Sequence, residues 1–349
     1  MDIVKVLTEL CSMKGITGFE KPIAERAMEL MAPYCDKVYM NDRNTAVGVI
    51  YGAKNPGSKK IMLDAHLDRI GFIVESIEDG FLHFTNAGGI DPRLLQGKEV
   101  WVHTNSGALR GVICSTPPHL TSKSERDAVT PIDGLLIDIG YSDEKTRSLV
   151  KIGDTVTYAA EPAELLNGTF ASAAIDDRGG FVTFLHALEL LDGRRPNADI
   201  YIVGSAQEER SGVGSFAAAS KIRPDVAIVV DVDHAETPDA PPLRTHPAGH
   251  GAVIAKGPHL NKAVTAELIR VAKEKNIPFD IAVEEGSTGT NVTHIYNSGY
   301  GVACGLVSIP LKYMHTPTEV VNVDDIKAVG QVVCEYLLTF MDDEKEGEN

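Results

Sequence analysis

A chain of 349 residues with 43% hydrophobic and 23% charged residues has ordinary globular composition, and its length argues for about two domains. A formal net charge of −16 disfavours nucleic acid and anionic membranes as partners, and no apolar run approaches the roughly 20 residues of a membrane span. The five cysteines (Cys11, Cys35, Cys114, Cys304, Cys334) are scattered and form no CxxC pair, and the start MDIVKVLTELCSM lacks a signal-peptide core. Both features point to a cytoplasmic protein with reduced thiols, not to a disulfide framework or a cysteine zinc cluster. Part of the acidity lies in the tail MDDEKEGEN, which is expected to be a solvated, frayed terminus.

Apolar positions recur at helical spacing over residues 2–11 and 20–33, the second stretch following the loop GITGFEK. Strand-like runs follow at 37–40, 46–51 and 60–65. From about 71 to 159, short alternating segments (GFIVESI, GFLHFTN, VWVHT, LRGVICS, LLIDIG, DTVTYA) are separated by Gly, Asn, Asp and Pro. They predict a small all-β module with little helix. After Asn167 strand and helix alternate: helix 178–191, strand 199–204, a short helix near 213–220, and strands 226–231 and 252–255. Helix 262–275, strand 302–308 and helix 323–340 complete the series. Such alternation predicts an α/β fold with a mixed, largely parallel sheet flanked by helices on both faces. The expected division is an α/β domain from 1–69 and 163–349, interrupted by a β insertion at 70–162.

Chemistry concentrates at the predicted strand ends. Glu208 and Glu209 are adjacent in SAQEERSGVGS, directly after an apolar strand, where two carboxylates are costly unless cations or protons neutralise them. Neighbours on extended chain point to opposite sides, so Glu209 is assigned to a metal and Glu208 to general base. In LDAHLDRIGF, His66 follows a strand, and Asp68 two residues on can reach the far side of the imidazole. Taken alone, His-x-Asp favours a hydrogen-bonded structural histidine. AIDDRGG places Asp176 and Asp177 before a helix, where a plain N-cap is the favoured isolated reading. Two neighbouring cations nevertheless need an anion between them, and Asp176 is assigned that bridge. VVDVDHAETP offers Asp231, Asp233 and His234, with Asp231 nearest the strand end; SIPLKYMHTPTEV supplies His315. His186 falls mid-helix, and His119, His246, His250 and His259 have no comparable context. Together these residues have the ligand inventory of a two-metal hydrolytic site. No GxSxG elbow, P-loop or strand–GxGxxG–helix unit is present, and SGVGS is read as a tight turn into a helix.

The blocks AHLDRIGF, GGIDPRLLQGKEV, GVICSTPPHL, LLIDIGYSDEK, IGDTV, AIDDRGG, QEE, VVDVDHAETP, KGP and SIPLKYMHTPTEVV, in this order, resemble the glutamyl (tetrahedral) aminopeptidase family of cytoplasmic dinuclear metallopeptidases. They span nearly the whole chain. The resemblance implies a zinc-peptidase-like catalytic domain holding both metals and a β-barrel-like insertion used in assembly. It also implies a homo-oligomer of dimers, a dodecamer enclosing the active sites. By motif, His66 and Asp231 would hold one metal, Glu209 and His315 the other, and Asp176 would bridge. Glu208 would be the base and Asp68 the residue orienting His66. Zinc is the default ion of the pair, with cobalt or manganese as alternatives.

The implied activity is removal of N-terminal residues from peptides with a free N-terminus, by water activated between two metals. A dinuclear deacylase or carboxypeptidase, or a catalytically impaired assembly protein of the same fold, are the competing readings. One Trp and 6% aromatic residues leave little sugar-stacking surface for a cellulase. The chain departs from the family's usual residues at Arg69, Asp280, Asn291 and Lys312. Arg69 and Asn291 would remove two acids from the site's neighbourhood and favour acidic or neutral N-terminal residues over basic ones.

Overall fold

The computed structural model describes residues 1–54, 56–57, 59–123, 128–238 and 240–341. The stretch 342–349, expected to be a frayed terminus, lies outside the described residues. Helices α1 (Ile3–Ser12) and α2 (Lys21–Met31) precede strands β1 (Lys37–Met40), β2 (Ala46–Ile50) and β3 (Lys60–His66). Strands β4 (Gly71–Glu78), β5 (Phe81–Ala87), β6 (Glu99–Thr104), β7 (Gly107–Cys114), β8 (Leu136–Asp138) and β9 (Thr155–Tyr158) follow, with helix α3 (Asp143–Leu149) before β9. Then come β10 (Ala163–Glu164), β11 (Thr169–Ser172), α4 (Ile175–Leu191), β12 (Asp199–Ser205), α5 (Val213–Ile222) and β13 (Val226–His234). The chain closes with β14 (Ala252–Lys256), α6 (Lys262–Glu274), β15 (Phe279–Val283), α7 (Val292–Tyr296), β16 (Ala303–Lys312), β17 (Glu319–Asn322) and α8 (Val323–Leu338).

Strands β12, β3, β13 and β16 pair in parallel at the centre of an 11-stranded sheet, and antiparallel strands extend its edges. Their near-continuous Ile, Val, Leu and Ala runs suit strands covered on both faces. Two hydrophobic cores do the covering. One packs α1, α2, α4, α6 and α8 on one side; the other lies under α5 and α7. The α/β expectation therefore holds. Parallel register aligns the carboxyl ends of the strands: Ser205 lies opposite His66, and Asp231 opposite Ser308. Open α/β sheets form their ligand crevices at this edge.

Strands β4, β5, β8, β7, β6 and β9 close a barrel around its own core, in which Phe72 meets Phe84 and Tyr158 edge-on. The alternating pattern predicted these strands but not α3. That helix is local in origin: the Ser142 side chain accepts from Lys145 N–H, Asp143 and Glu144 occupy the first turn, and Arg147 pairs with Asp143 one turn on. Elsewhere β16 and β13 run further than expected, and the short elements β15, β17 and α7 were not foreseen. Their order comes from β14 beside β15, from β11 and β16 beside β17, and from burial of Val292 and Ile295 of α7 in the second core.

Arg178 at the start of α4 is fully buried and donates to four backbone carbonyls, of Leu67, Leu10, Met13 and Gly15. It ties the segment after β3 to the end of α1 and the loop after it. Arg178→Met removes every donor while keeping bulk, and leaves buried carbonyls unpaired at about 1–3 kcal/mol each. Denaturant unfolding should therefore show a loss on the order of 3 kcal/mol or more; a change under about 0.5 kcal/mol would contradict this role.

Candidate metal centre

His66 ends β3, Asp231 lies near the end of β13, and Glu208 and Glu209 occupy the turn after β12. Asp176 sits at the entry to α4 and His315 on the loop between β16 and β17. All six, together with residues of the 288–294 segment, line one cavity of about 570 Å3, a size suited to a small organic ligand. Asp176 stands between the histidines: its Oδ1 lies 3.0 Å from His66 Nε2 and its Oδ2 3.4 Å from His315 Nε2. Glu209 Oε2 is 3.2 Å from His315 Nε2, and Glu208 Oε2 is 3.9 Å from His66 Nε2. Two donor sets result, His66–Asp176–Asp231 and Asp176–Glu209–His315, with ligand atoms within 4.8 Å of one another in each. Imidazole and carboxylate oxygen in such sets suit a divalent transition ion, so the residues fit the metals that the sequence implies.

Backbone clamps hold these side chains. The Asp68 carboxylate accepts from Glu208 N–H and Glu209 N–H, both at 3.1 Å. His66 Nδ1 faces the Asp68 carbonyl at 3.1 Å and its carboxylate at 3.5 Å, which leaves Nε2 turned to the site. Asp68 thus touches the far side of the imidazole, more closely through its backbone carbonyl than through its carboxylate, and also anchors the glutamate turn. That turn corrects one premise: Glu208 and Glu209 diverge because they sit on a turn after Gln207 at φ +60°, not on extended chain. Gly212 at φ +62° ends the turn, and a Cβ on Gly214 would lie 2.2 Å from the Ala206 carbonyl, so SGVGS is indeed a tight entry to a helix.

Two participants received no role from sequence. Asp177, joined to Asp176 by a cis peptide bond, accepts from His66 N–H at 3.2 Å and from Gly180 N–H at 3.1 Å. It is the cap that the AIDD motif contains, which frees Asp176 for the site. Glu319 accepts from the N–H groups of Ile175, Asp176 and His315. Its signal was proximity, four residues after His315. Nothing in local spacing shows that β17 lies against β11 and so brings Glu319 to Asp176.

So many buried acids cannot all be ionised in the protein alone. Burial pushes the carboxyls of Asp231 and Asp177 well above the usual range, Glu209 upward, and Glu208 to about 7. Burial also opposes charge on Asp176, yet the contacts with His315 and His66 outweigh it and hold that carboxyl low. Burial likewise disfavours charge on the imidazoles. Hydrogen bonds to Asp176 and Asp68 still raise His66, and those to Asp176 and Glu209 raise His315 to about 11. Protons balance the site by themselves, and a divalent cation would displace them.

Of the residues that depart from the family pattern, Arg69 and Asn291 lie buried behind the cavity and Asp280 at its margin. Arg69 and Asn291 are 4% and 1% exposed and line no part of the cavity. Asn291 donates to Asp64 and Ser205 and accepts from Ser215 beneath the sheet edge. Both therefore stand behind the cavity and not on its wall, which includes Arg210, Asp233, His234 and His294. Asp280 reaches it indirectly, through His246, which lies 2.7 Å from Asp280 and 3.5 Å from Asp233.

The family model described as M42 glutamyl aminopeptidase matches residues 48–332. The chain is 28% identical over 327 residues to a lysyl aminopeptidase of Pyrococcus furiosus, covering 92% of this chain and 93% of that protein. Its structure resembles the TET aminopeptidase of a marine sediment Thaumarchaeota archaeon, with a TM-score of 0.90 and 27% identity over 97% of this chain and 99% of the other. It also resembles the TET1 peptidase of Pyrococcus horikoshii, which can assemble into a tetrahedron or a large octahedral shell, with a TM-score of 0.83 and 26% identity over 98% and 100% of the two chains.

The charge balance predicts a pH dependence. Glu208 and Glu319 rise to about 7 and about 8 through burial, above their unfolded values. Their stabilising contribution is full below the ordinary carboxylate range and is lost as pH climbs through 7 and 8. His66 and His315 are also raised, so theirs is present below 6.5 and lost as pH climbs, that of His315 towards 11. Chelated protein should melt lower at about pH 8.5 than at about pH 6, and saturating divalent cation should reduce that slope. Thermal melts across this range, with and without chelator, measure it; parallel curves would refute the neutralisation.

Proposed function

We propose, from the premise that this chain belongs to the M42 glutamyl aminopeptidase family, that it removes N-terminal residues from peptides at a centre of two divalent ions. The observation that carries this reading is the Asp176 carboxylate, one oxygen turned to each histidine. His66 and Asp231 would hold one ion, Glu209 and His315 the other, with Asp176 common to both. Mixed nitrogen and oxygen donors suit zinc first, then cobalt or manganese. When bound, the ions supply Lewis-acid activation of water and of the scissile carbonyl.

Glu208 belongs to neither donor set, yet its carboxylate lines the same cavity. Burial brings it to about 7, where a carboxylate can take a proton from the attacking water and pass it to the leaving amine near neutral pH. Asp68 holds that residue in place through the backbone of the turn and presents His66 Nε2 to the site. A cavity dominated by carboxylates favours the positive charge of a free peptide N-terminus over a blocked one. The stretch 70–162, which contains the closed barrel, forms an insertion in the catalytic domain (1–69 and 163–349) and mediates assembly. Dimers would join into a dodecamer; the shells built by the Pyrococcus horikoshii relative support this.

Glu208→Gln should retain ion content and melting behaviour while kcat falls about 10²–10⁴-fold on aminoacyl anilides. Near-normal turnover would remove the base assignment. Acetylating the N-terminus of a good peptide substrate should abolish its cleavage, and faster cleavage of the acetylated form would point to a deacylase instead. Native mass spectrometry should show twelve chains per particle.

A further inference from the structure

The two ligand segments nearest the second donor set come from distant parts of the chain, and a single side chain ties them together. Glu319 opens β17 opposite Ser172, the last residue of β11, so it sits where the chain leaves β11 towards Asp176. It is 2% exposed. Its Oε2 accepts from Ile175 N–H at 2.7 Å and from Asp176 N–H at 3.2 Å; its Oε1 accepts from His315 N–H at 3.1 Å. Both tied segments contain residues in unfavourable backbone conformations. Ala174 has φ +66° and His315 has φ +61°, left-handed values that non-glycine residues adopt only when the surroundings over-determine them. Glu319 is the common partner at both places. Asp68, which holds the glutamate turn, and Asp177, which accepts from His66 N–H, make comparable ties elsewhere at the site.

We propose that Glu319 is a positioning residue: it locks the Asp176 and His315 segments into one preformed unit and thereby sets the affinity of the Asp176–Glu209–His315 site. This rests on those residues being ligands, as proposed above. The contact is through backbone N–H groups, so Glu319 acts on where the ligand atoms stand and not on the reacting atoms. It touches neither Asp231 nor His66, so it reaches the first set only through the shared Asp176, and the second through both Asp176 and His315.

Calorimetric titration of chelated protein with zinc or cobalt distinguishes the possibilities. The parent protein should bind two ions; if it binds none or one, the functional reading fails first. In Glu319→Gln one of the two ions should bind about 10–100-fold less tightly, and the other, which shares only Asp176 with the freed segments, should change markedly less. Glu319→Asp, which keeps the carboxyl group but shortens the reach, should fall between. A folded Glu319→Gln protein that binds both ions as the parent does would overturn the proposal, whatever its thermal stability, since a merely structural tie would lower the melting temperature without separating the sites. Should that variant fail to fold, hydrogen exchange on the unaltered chain decides. Peptides covering 173–178 and 313–317 should stay protected after chelation, and exchange at free-peptide rates would sink the idea.

Discussion

The site depends on charge crowding: a dense set of carboxylates gathers at one edge of a buried sheet, where only cations or protons can neutralise them. Asp176, Asp177, Glu208, Glu209, Asp231 and Glu319 all approach that edge, and burial works against charge on every one of them. Asp176, flanked by both imidazoles, keeps its charge. The others are pushed towards protonation. Buried acids in this number need cations or protons beside them, and two groups of donors at this edge could each hold a metal ion.

Three carboxylates outside those sets do the aiming. Asp68 holds the Glu208–Glu209 turn, Asp177 holds the His66 backbone, and Glu319 joins the Asp176 and His315 segments. Each accepts main-chain N–H groups, so each fixes the path of the chain that delivers a ligand. Side-chain partners behind metal ligands commonly tune affinity; here much of that support runs through the backbone. The strand edges supply the rest, because parallel register puts the ends of β3 and β13 side by side.

Much of this was legible in the chain. Period-2 and period-3.6 patterns located the barrel strands and most helices, since burial on one face imposes those periods. The seven chemical candidates also emerged, because carboxylates and histidines at the ends of apolar runs are expensive without a purpose. Arg69 and Asn291 show what such reasoning leaves open. Both are near the ligands in sequence or motif, yet one packs behind the site and the other joins the Asp64 network, away from the cavity wall. Sequence adjacency does not say which way a side chain turns.

Local chemistry by itself determined what kind of site this chain could build: residue types, their placement at strand ends, and the alternation of helix and strand are all short-range properties. Tertiary structure decided which atoms meet. Glu319 reaches Asp176 only because β17 pairs with β11, and Asp176 faces both histidines only because three separate chain segments converge. Those contacts depend on strand pairing over more than a hundred residues, and no local pattern carries that information.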